Sequence, residues 1–142
     1  MWTTDYTSHT QASPAAVWEA LRRLHTGESH GDAGDTFVIH GPFEVGTAIS
    51  VTPVGQDTFE STILELVEAE RYADSTAFGA TTLTFRHVLA AEGSGTSVTH
   101  ELIIDGQDAD EVGPELGPQI SEDFPAAMAE LFANAVAIEN AN

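Results

Sequence analysis

The run TTLTFRHVLAAEGSGTSVTHELIID, residues 81–105, decides the architecture. Two stretches with apolar residues at alternate positions flank Glu92-Gly93-Ser94-Gly95. Glycine and serine between alternating runs signal a β-hairpin, because tight turns need backbone conformations that glycine adopts without strain. Strands are therefore expected over 81–90 and 96–105. In the second, Val98, His100, Leu102 and Ile104 share one face, and Thr99, Glu101 and Ile103 the other. The first set is the more apolar and is expected inside. In the first strand, Leu83, Phe85, His87 and Leu89 oppose Thr82, Thr84, Arg86 and Val88, and both faces have a claim to the interior.

Upstream, the same alternation and turn signals predict strands over 3–11, 36–40, 46–52, 58–68 and 71–78. Ser13-Pro14 is a helix start, with an N-cap serine and a proline at the first helical position. Val17, Trp18, Leu21 and Leu24 follow at helical spacing, and Gly27 stops the run. Residues 25–35 are polar and glycine-bearing and read as a loop or a short helix. Downstream, 106–113 is an acidic connection. Leu116, Ile120, Phe124, Met128, Leu131, Phe132, Ala135 and Ile138 then form a helical stripe, which Pro125 should kink or divide.

The expected fold class is α+β, in the order strand, helix, six strands, helix. Short connections make the pairing antiparallel. A twisted sheet of about seven strands curls, and the C-terminal helix is the element long enough to fill its concave face. A gap between them is the candidate cavity. A length of 142 residues points to one domain spanning 1–142.

Composition narrows the function classes. The chain has no cysteine, which excludes disulfides, thiol catalysis and cysteine-ligated zinc. Four arginines, no lysine and 23 acidic residues give a formal charge of −19. Such a surface repels phosphate backbones and anionic lipid, so nucleic acid is not an expected partner. The acidic excess runs through the whole chain and reads as surface adaptation to a high-salt, halophilic cytoplasm. Residues 1–11 lack a basic start followed by an apolar run. No apolar stretch is long enough to span a bilayer. A cytoplasmic protein without membrane insertion is expected, and a homodimer is compatible with the sequence.

Several segments carry a family likeness. Ser13-Pro14-Ala15-Ala16-Val17-Trp18 resembles the first-helix start of the START-like (SRPBCC) superfamily, and of its polyketide cyclase/dehydrase group in particular. Gly41-Pro42-Phe43-Glu44-Val45-Gly46 resembles its glycine-rich strand connection, and Gly95 to His100 its last strand. Leu116-Gly117-Pro118 and Asp123 to Leu131 resemble its closing helix. The likeness implies a helix-grip fold with an apolar cavity under that helix. It implies no single reaction, since such proteins include cyclases, lipid and hormone carriers and partner-docking domains, and no universal catalytic residue carries over.

Candidate residues follow from the faces. Trp18, Phe85, Val98, His100, Leu102, Phe124, Met128 and Phe132 are candidates to line the ligand site. His100 is either a buried neutral histidine or a polar handle for a ligand. Arg86 either binds an anionic group inside or pairs with an acid on the surface. Tyr72 either offers its hydroxyl at the pocket mouth or anchors the sheet edge. His100, Arg86, Tyr72 and His87 are the catalytic candidates. His25, His30 and His40 with Asp32 or Asp35 match no zinc spacing, and the acids Asp105, Asp108, Asp110 and Glu111 lack the calcium-loop pattern, so no metal is expected. No nucleophile elbow or nucleotide-binding glycine loop occurs, and no cofactor is expected.

Three functions remain open: a carrier or sensor of a small hydrophobic or aromatic molecule, an enzyme acting on an enolisable polyketide-like substrate, and a protein-interaction module. The charge makes its own prediction. Screening at about 1 M salt, where the Debye length is about 3 Å, should relieve the self-repulsion of the acidic surface. The melting temperature is expected to rise steeply from low to molar KCl, and an unchanged value across that range would remove the high-salt reading.

Overall fold

The computed structural model describes residues 1–28, 36–53 and 55–141. The elements are β1 (Trp2–Thr10), α1 (Pro14–His25), β2 (Thr36–Ile39), β3 (Ala48–Thr52), β4 (Phe59–Val67), β5 (Arg71–Phe78), β6 (Thr81–Glu92), β7 (Gly95–Gly106), α2 (Ala109–Ser121) and α3 (Phe124–Ala141). Among the described residues the strands form one seven-stranded antiparallel sheet in the order β1-β7-β6-β5-β4-β3-β2. The sheet curves around the C-terminal helices, as a helix-grip fold requires.

The hairpin of β6 and β7 has the expected turn. Glu92 pairs with Gly95, and Gly93 takes a φ of +62°, where a side chain would be strained. The N-terminus of α1 also follows the reading. The Ser13 hydroxyl accepts from the Ala16 N–H at 3.2 Å, and Pro14 occupies the first turn. β4 departs from regularity. Its register shifts between Ile63 and Glu65, which leaves Leu64 exposed and returns Leu66 to a position opposite Tyr72.

The C-terminal helix is two helices. α2 begins at Ala109, earlier than the acidic composition of 106–113 suggested, and α3 begins at Phe124. Pro125 lies in the first turn of α3, where a missing N–H costs no intrahelical bond. α2 carries Pro114 and Pro118 in its interior and is seated by its glycines. Gly113 and Gly117, one helical turn apart, form a trough for the Trp2 indole: a Cβ built on either would overlap Trp2 side-chain atoms.

Two apolar clusters make the core. One gathers Val17, Trp18, Leu21, Tyr72, Val98, Met128 and Leu131, joining α1 and α3 to the sheet. The other gathers Leu83, Leu102, Ile104, Ala109 and Phe124, with Trp2 and Phe85 against it. Gly117→Ala tests the second. Helix propensity alone would favour alanine by about 1 kcal/mol. Overlap with a rigid indole should outweigh this and leave a net loss of about 1–3 kcal/mol, read as a lower melting temperature. Trp2→Leu in the same background should recover part of that loss. A higher melting temperature for Gly117→Ala alone would mean that α2 is not seated on Trp2.

Candidate functional site

Register lines up a polar aromatic row across the concave face. Leu66 lies opposite Tyr72, Tyr72 opposite His87, His87 opposite His100, and His100 opposite Tyr6. The adjacent row is Ile63, Asp74, Phe85, Leu102 and Thr4. Both follow from strand alternation, since residues two apart share a face. Helix α1 adds His25 in its last turn, one turn beyond Leu21 on the buried stripe.

These groups touch. The His25 ring lies 4.3 Å from that of Tyr72 and 4.8 Å from that of Phe37. It meets His87 edge-on at 6.0 Å. His87 stacks on His100 at 4.1 Å, and His100 stacks on Phe124 at 3.9 Å. Phe43 stacks on the other side of Tyr72 at 5.8 Å. The histidines thus bridge the two apolar clusters.

Hydrogen bonds fix the inner part. Tyr72 donates its hydroxyl to Asp74 Oδ2 at 2.8 Å, and both residues are buried. His25 Nδ1 lies 2.8 Å from the Leu21 carbonyl oxygen. That oxygen can only accept, so Nδ1 carries the proton. Ser61 donates to the Ser75 carbonyl at 3.0 Å. Two buried atoms of this face have no partner, His87 Nδ1 and Thr76 Oγ1. Phe85 and His87 keep part of their surface open although they point to the concave side of a central strand. The helices therefore do not seal the sheet over β6.

Burial sets the charge states. It pushes His25 below the ordinary histidine value, against the pull of Asp74 and the Leu21 carbonyl. His87 is pushed well down by burial and then by His100 and His25. His100 is pushed down to about 3 by burial, with His25 adding to the shift. Burial raises Asp74, opposed by His25 and the Tyr72 and Ser61 hydroxyls. Tyr72 is raised by burial and by the adjacent Asp74 charge. The result is three neutral imidazoles beside a carboxyl that resists ionisation.

The sequence candidates divide accordingly. Tyr72, His87 and His100 meet in this cluster, with Phe85 and Phe124 in contact. Tyr72 is neither at a mouth nor at a sheet edge: it is 1% exposed on an interior strand. Arg86 leaves the set. It faces outward, 2.8 Å from Glu101 and 3.4 Å from Glu65, because alternation puts it opposite in sense to Phe85 and His87. Trp18 packs on Phe43 at 6.3 Å. Val98, Met128 and Phe132 belong to the α1/α3 cluster, and Leu102 lies in the row beside the histidines. His40 is exposed and hydrogen-bonds Ser50 at 2.6 Å, apart from buried His25. His30, Asp32 and Asp35 lie outside the described residues.

His25 and Asp74 are the members that sequence reasoning missed. A signal existed for each: His25 is four residues beyond Leu21, and Asp74 is two beyond Tyr72. The described residues also form two solvent-open grooves of about 260 and 280 Å³ between α1 and α3. Both include Arg23 and Ile138, and neither includes a member of the cluster.

No family model matches the chain, and no curated protein matches it in sequence. Solved structures do match in shape. Ara h 8.0201 is 19% identical, with 99% of this chain and 98% of that chain covered and a TM-score of 0.69. Norcoclaurine synthase from Thalictrum flavum, in complex with dopamine and hydroxybenzaldehyde, is 14% identical, with coverages of 95% and 86% and a TM-score of 0.72. A protein of Thermus thermophilus is 13% identical, with coverages of 95% and 97% and a TM-score of 0.72. At these identities the likeness is one of fold: the chain has the helix-grip architecture from end to end.

The buried histidines predict a pH dependence. Unfolded histidine titrates near 6.5, whereas the folded groups refuse the proton until lower pH. The unfolded state therefore binds more protons as pH falls below 6.5. Stability is full above that value and declines toward the folded pKa, by up to about 1.4 kcal/mol per pH unit for each histidine. Asp74 acts with opposite sign, because its folded form takes up a proton before the unfolded one. Urea midpoints between about pH 7 and pH 5 should fall, and His100→Phe should flatten the slope. Equal slopes in the two proteins would contradict a neutral, buried His100.

Proposed function

We propose that this chain binds a small apolar or aromatic molecule with one hydrogen-bonding group, at the seam over β6 between the sheet and α3, as a carrier or sensor. The observation that supports it is His87. Its ring remains half-buried on the concave face, yet its Nδ1 is shut off from solvent without a protein partner. A buried polar atom left unpaired costs about 1–3 kcal/mol. A ligand polar group delivered there would recover that cost, while Phe85 and Phe124 would take its apolar body. That a helix-grip enzyme of similar shape holds dopamine and hydroxybenzaldehyde is consistent with an aromatic guest.

A second reading has its own observation. Tyr72 and Asp74 are hydrogen-bonded beside His25, and their surroundings push the carboxyl up and the imidazole down. Titratable groups brought together in this way suit proton transfer. In a polyketide cyclase/dehydrase-like reaction on an enolisable substrate, His25 would be the base. The Tyr72 hydroxyl would have to turn its one proton from Asp74 to the developing enolate oxygen to steady it. Deuterium exchange into an enolisable diketone, lost in Tyr72→Phe, would distinguish the enzyme from the carrier.

Native mass spectrometry of protein purified from its own host should find a retained molecule of low mass. His87→Leu should lose it and be more stable by about 1 kcal/mol, since removing an orphaned polar group relieves its desolvation. Retention undiminished in a destabilised His87→Leu would remove His87 from the binding site.

A further inference from the structure

Resting on the binding reading above, we infer that the ligand of this site is a hydrogen-bond donor, uncharged or cationic, such as a phenol or an amine, and not a carboxylate or an ether. The protons available on this wall are few. His25 has one N–H, and the Leu21 carbonyl takes it at 2.8 Å. Its other nitrogen, Nε2, therefore presents a lone pair. Tyr72 has one O–H, and Asp74 Oδ2 takes it at 2.8 Å. What the phenol oxygen has left is acceptor capacity. Ser61 has one proton for its two neighbours, the Ser75 carbonyl at 3.0 Å and the Asp74 carboxyl, so none is free for a ligand. Asp74 itself is addressed by Tyr72 as an acceptor.

The inner wall of the cluster is thus rich in lone pairs, and its fixed donors are committed. His87 Nδ1 and Thr76 Oγ1 are unpartnered, and they, the neutral His100 ring and the Asp74 carboxyl can each act as donor or acceptor, so they do not set the preference. An acceptor-only ligand would bring no proton to the lone pairs of His25 and Tyr72, whereas a donor would pair with one of them. An anion would also find no arginine on this face of the sheet. Arg71 and Arg86 pair with Glu65 and Glu101 on the opposite face of the sheet, and Arg22 and Arg23 pair with Glu19 on α1.

Titration calorimetry with three matched probes tests this: 4-ethylphenol, its methyl ether, and 4-ethylbenzoate at neutral pH. The phenol should bind about tenfold or more tighter than the ether, the worth of one good hydrogen bond, and the benzoate should not bind. Equal affinities of phenol and ether, or preference for the benzoate, would overturn the donor rule and leave the binding site standing. Failure of all three to bind would count against the site and the rule together. A measurement on the unmodified protein needs no variant to fold. Nitrogen-15 NMR of the histidines should show one imidazole as the Nδ1–H tautomer, whose unprotonated Nε2 signal shifts with the phenol and not with the ether. An Nε2–H tautomer or an imidazolium at His25 would overturn the rule.

Discussion

The register of the β6–β7 hairpin is the constraint on which the site depends. A turn of Gly93 and Ser94 sets Glu92 against Gly95, and every later pair follows, down to His87 against His100. A slip of one residue in either strand would turn its imidazole to the outer face and bring Arg86 of β6 or Glu101 of β7 inside. The outer row guards against that slip. Arg86 sits between Glu101 and Glu65 on the convex face, and it could not enter the core with only apolar neighbours. The outward ion pair contributes little energy by itself. Its value is that the alternative register would bury a charge.

Charge is divided between the two faces of one sheet. The four arginines all pair with acids on the outside, so none is left to hold Asp74 ionised. The interior instead reaches neutrality by burial. Three imidazoles keep their lone pairs, and Asp74 shares the Tyr72 proton donor. Neutral rings can pack at 3.9 to 4.3 Å, His87 stacking on His100 and His100 on Phe124, with His25 tilted against Tyr72. Protonating His87 and His100 together would set two cations face to face in an apolar setting. The packing and the protonation state are one condition, and neither can change without the other.

Much of this was legible in the sequence. The seven strands, the Ser13-Pro14 helix start, the division of the C-terminal helix near Pro125 and the inward set Val98, His100, Leu102 and Ile104 follow from alternation, capping and proline chemistry. These are local effects, and local effects leave a mark on a single sequence. The composition of the cluster was less legible. His25 looked like loop because Thr26, Gly27 and the polar residues after it dilute the helical stripe at its end. Asp74 gives little sign of burial in the sequence, because a carboxylate is rarely buried. What places it inside is Tyr72 two residues before it, His25 from another element, and the bulge that restores Leu66 to the inner row. Those are tertiary facts. The two inward-facing candidates of β6 could be told from Arg86 only once the acids of β4 and β7 were seen beside it.

The same tertiary facts explain why the interior is not simply apolar. Leucine at positions 87 and 100 would fill the seam and remove every orphaned imidazole nitrogen there. The chain keeps imidazoles at both, and keeps Thr76 Oγ1 unpaired farther along the same face. A core optimised for stability alone would not hold such groups, since each unpaired polar atom subtracts from a net stability of only about 5–15 kcal/mol. Polar groups that weaken the fold, gathered where the helices leave the sheet partly uncovered, mark the place where something other than folding sets the sequence. The helix-grip frame tolerates that burden because its two apolar clusters lie on either side of the histidines. Each is anchored to a different helix, α3 with α1 on one side and α2 with Trp2 on the other, so loosening the seam between them does not dissolve either one.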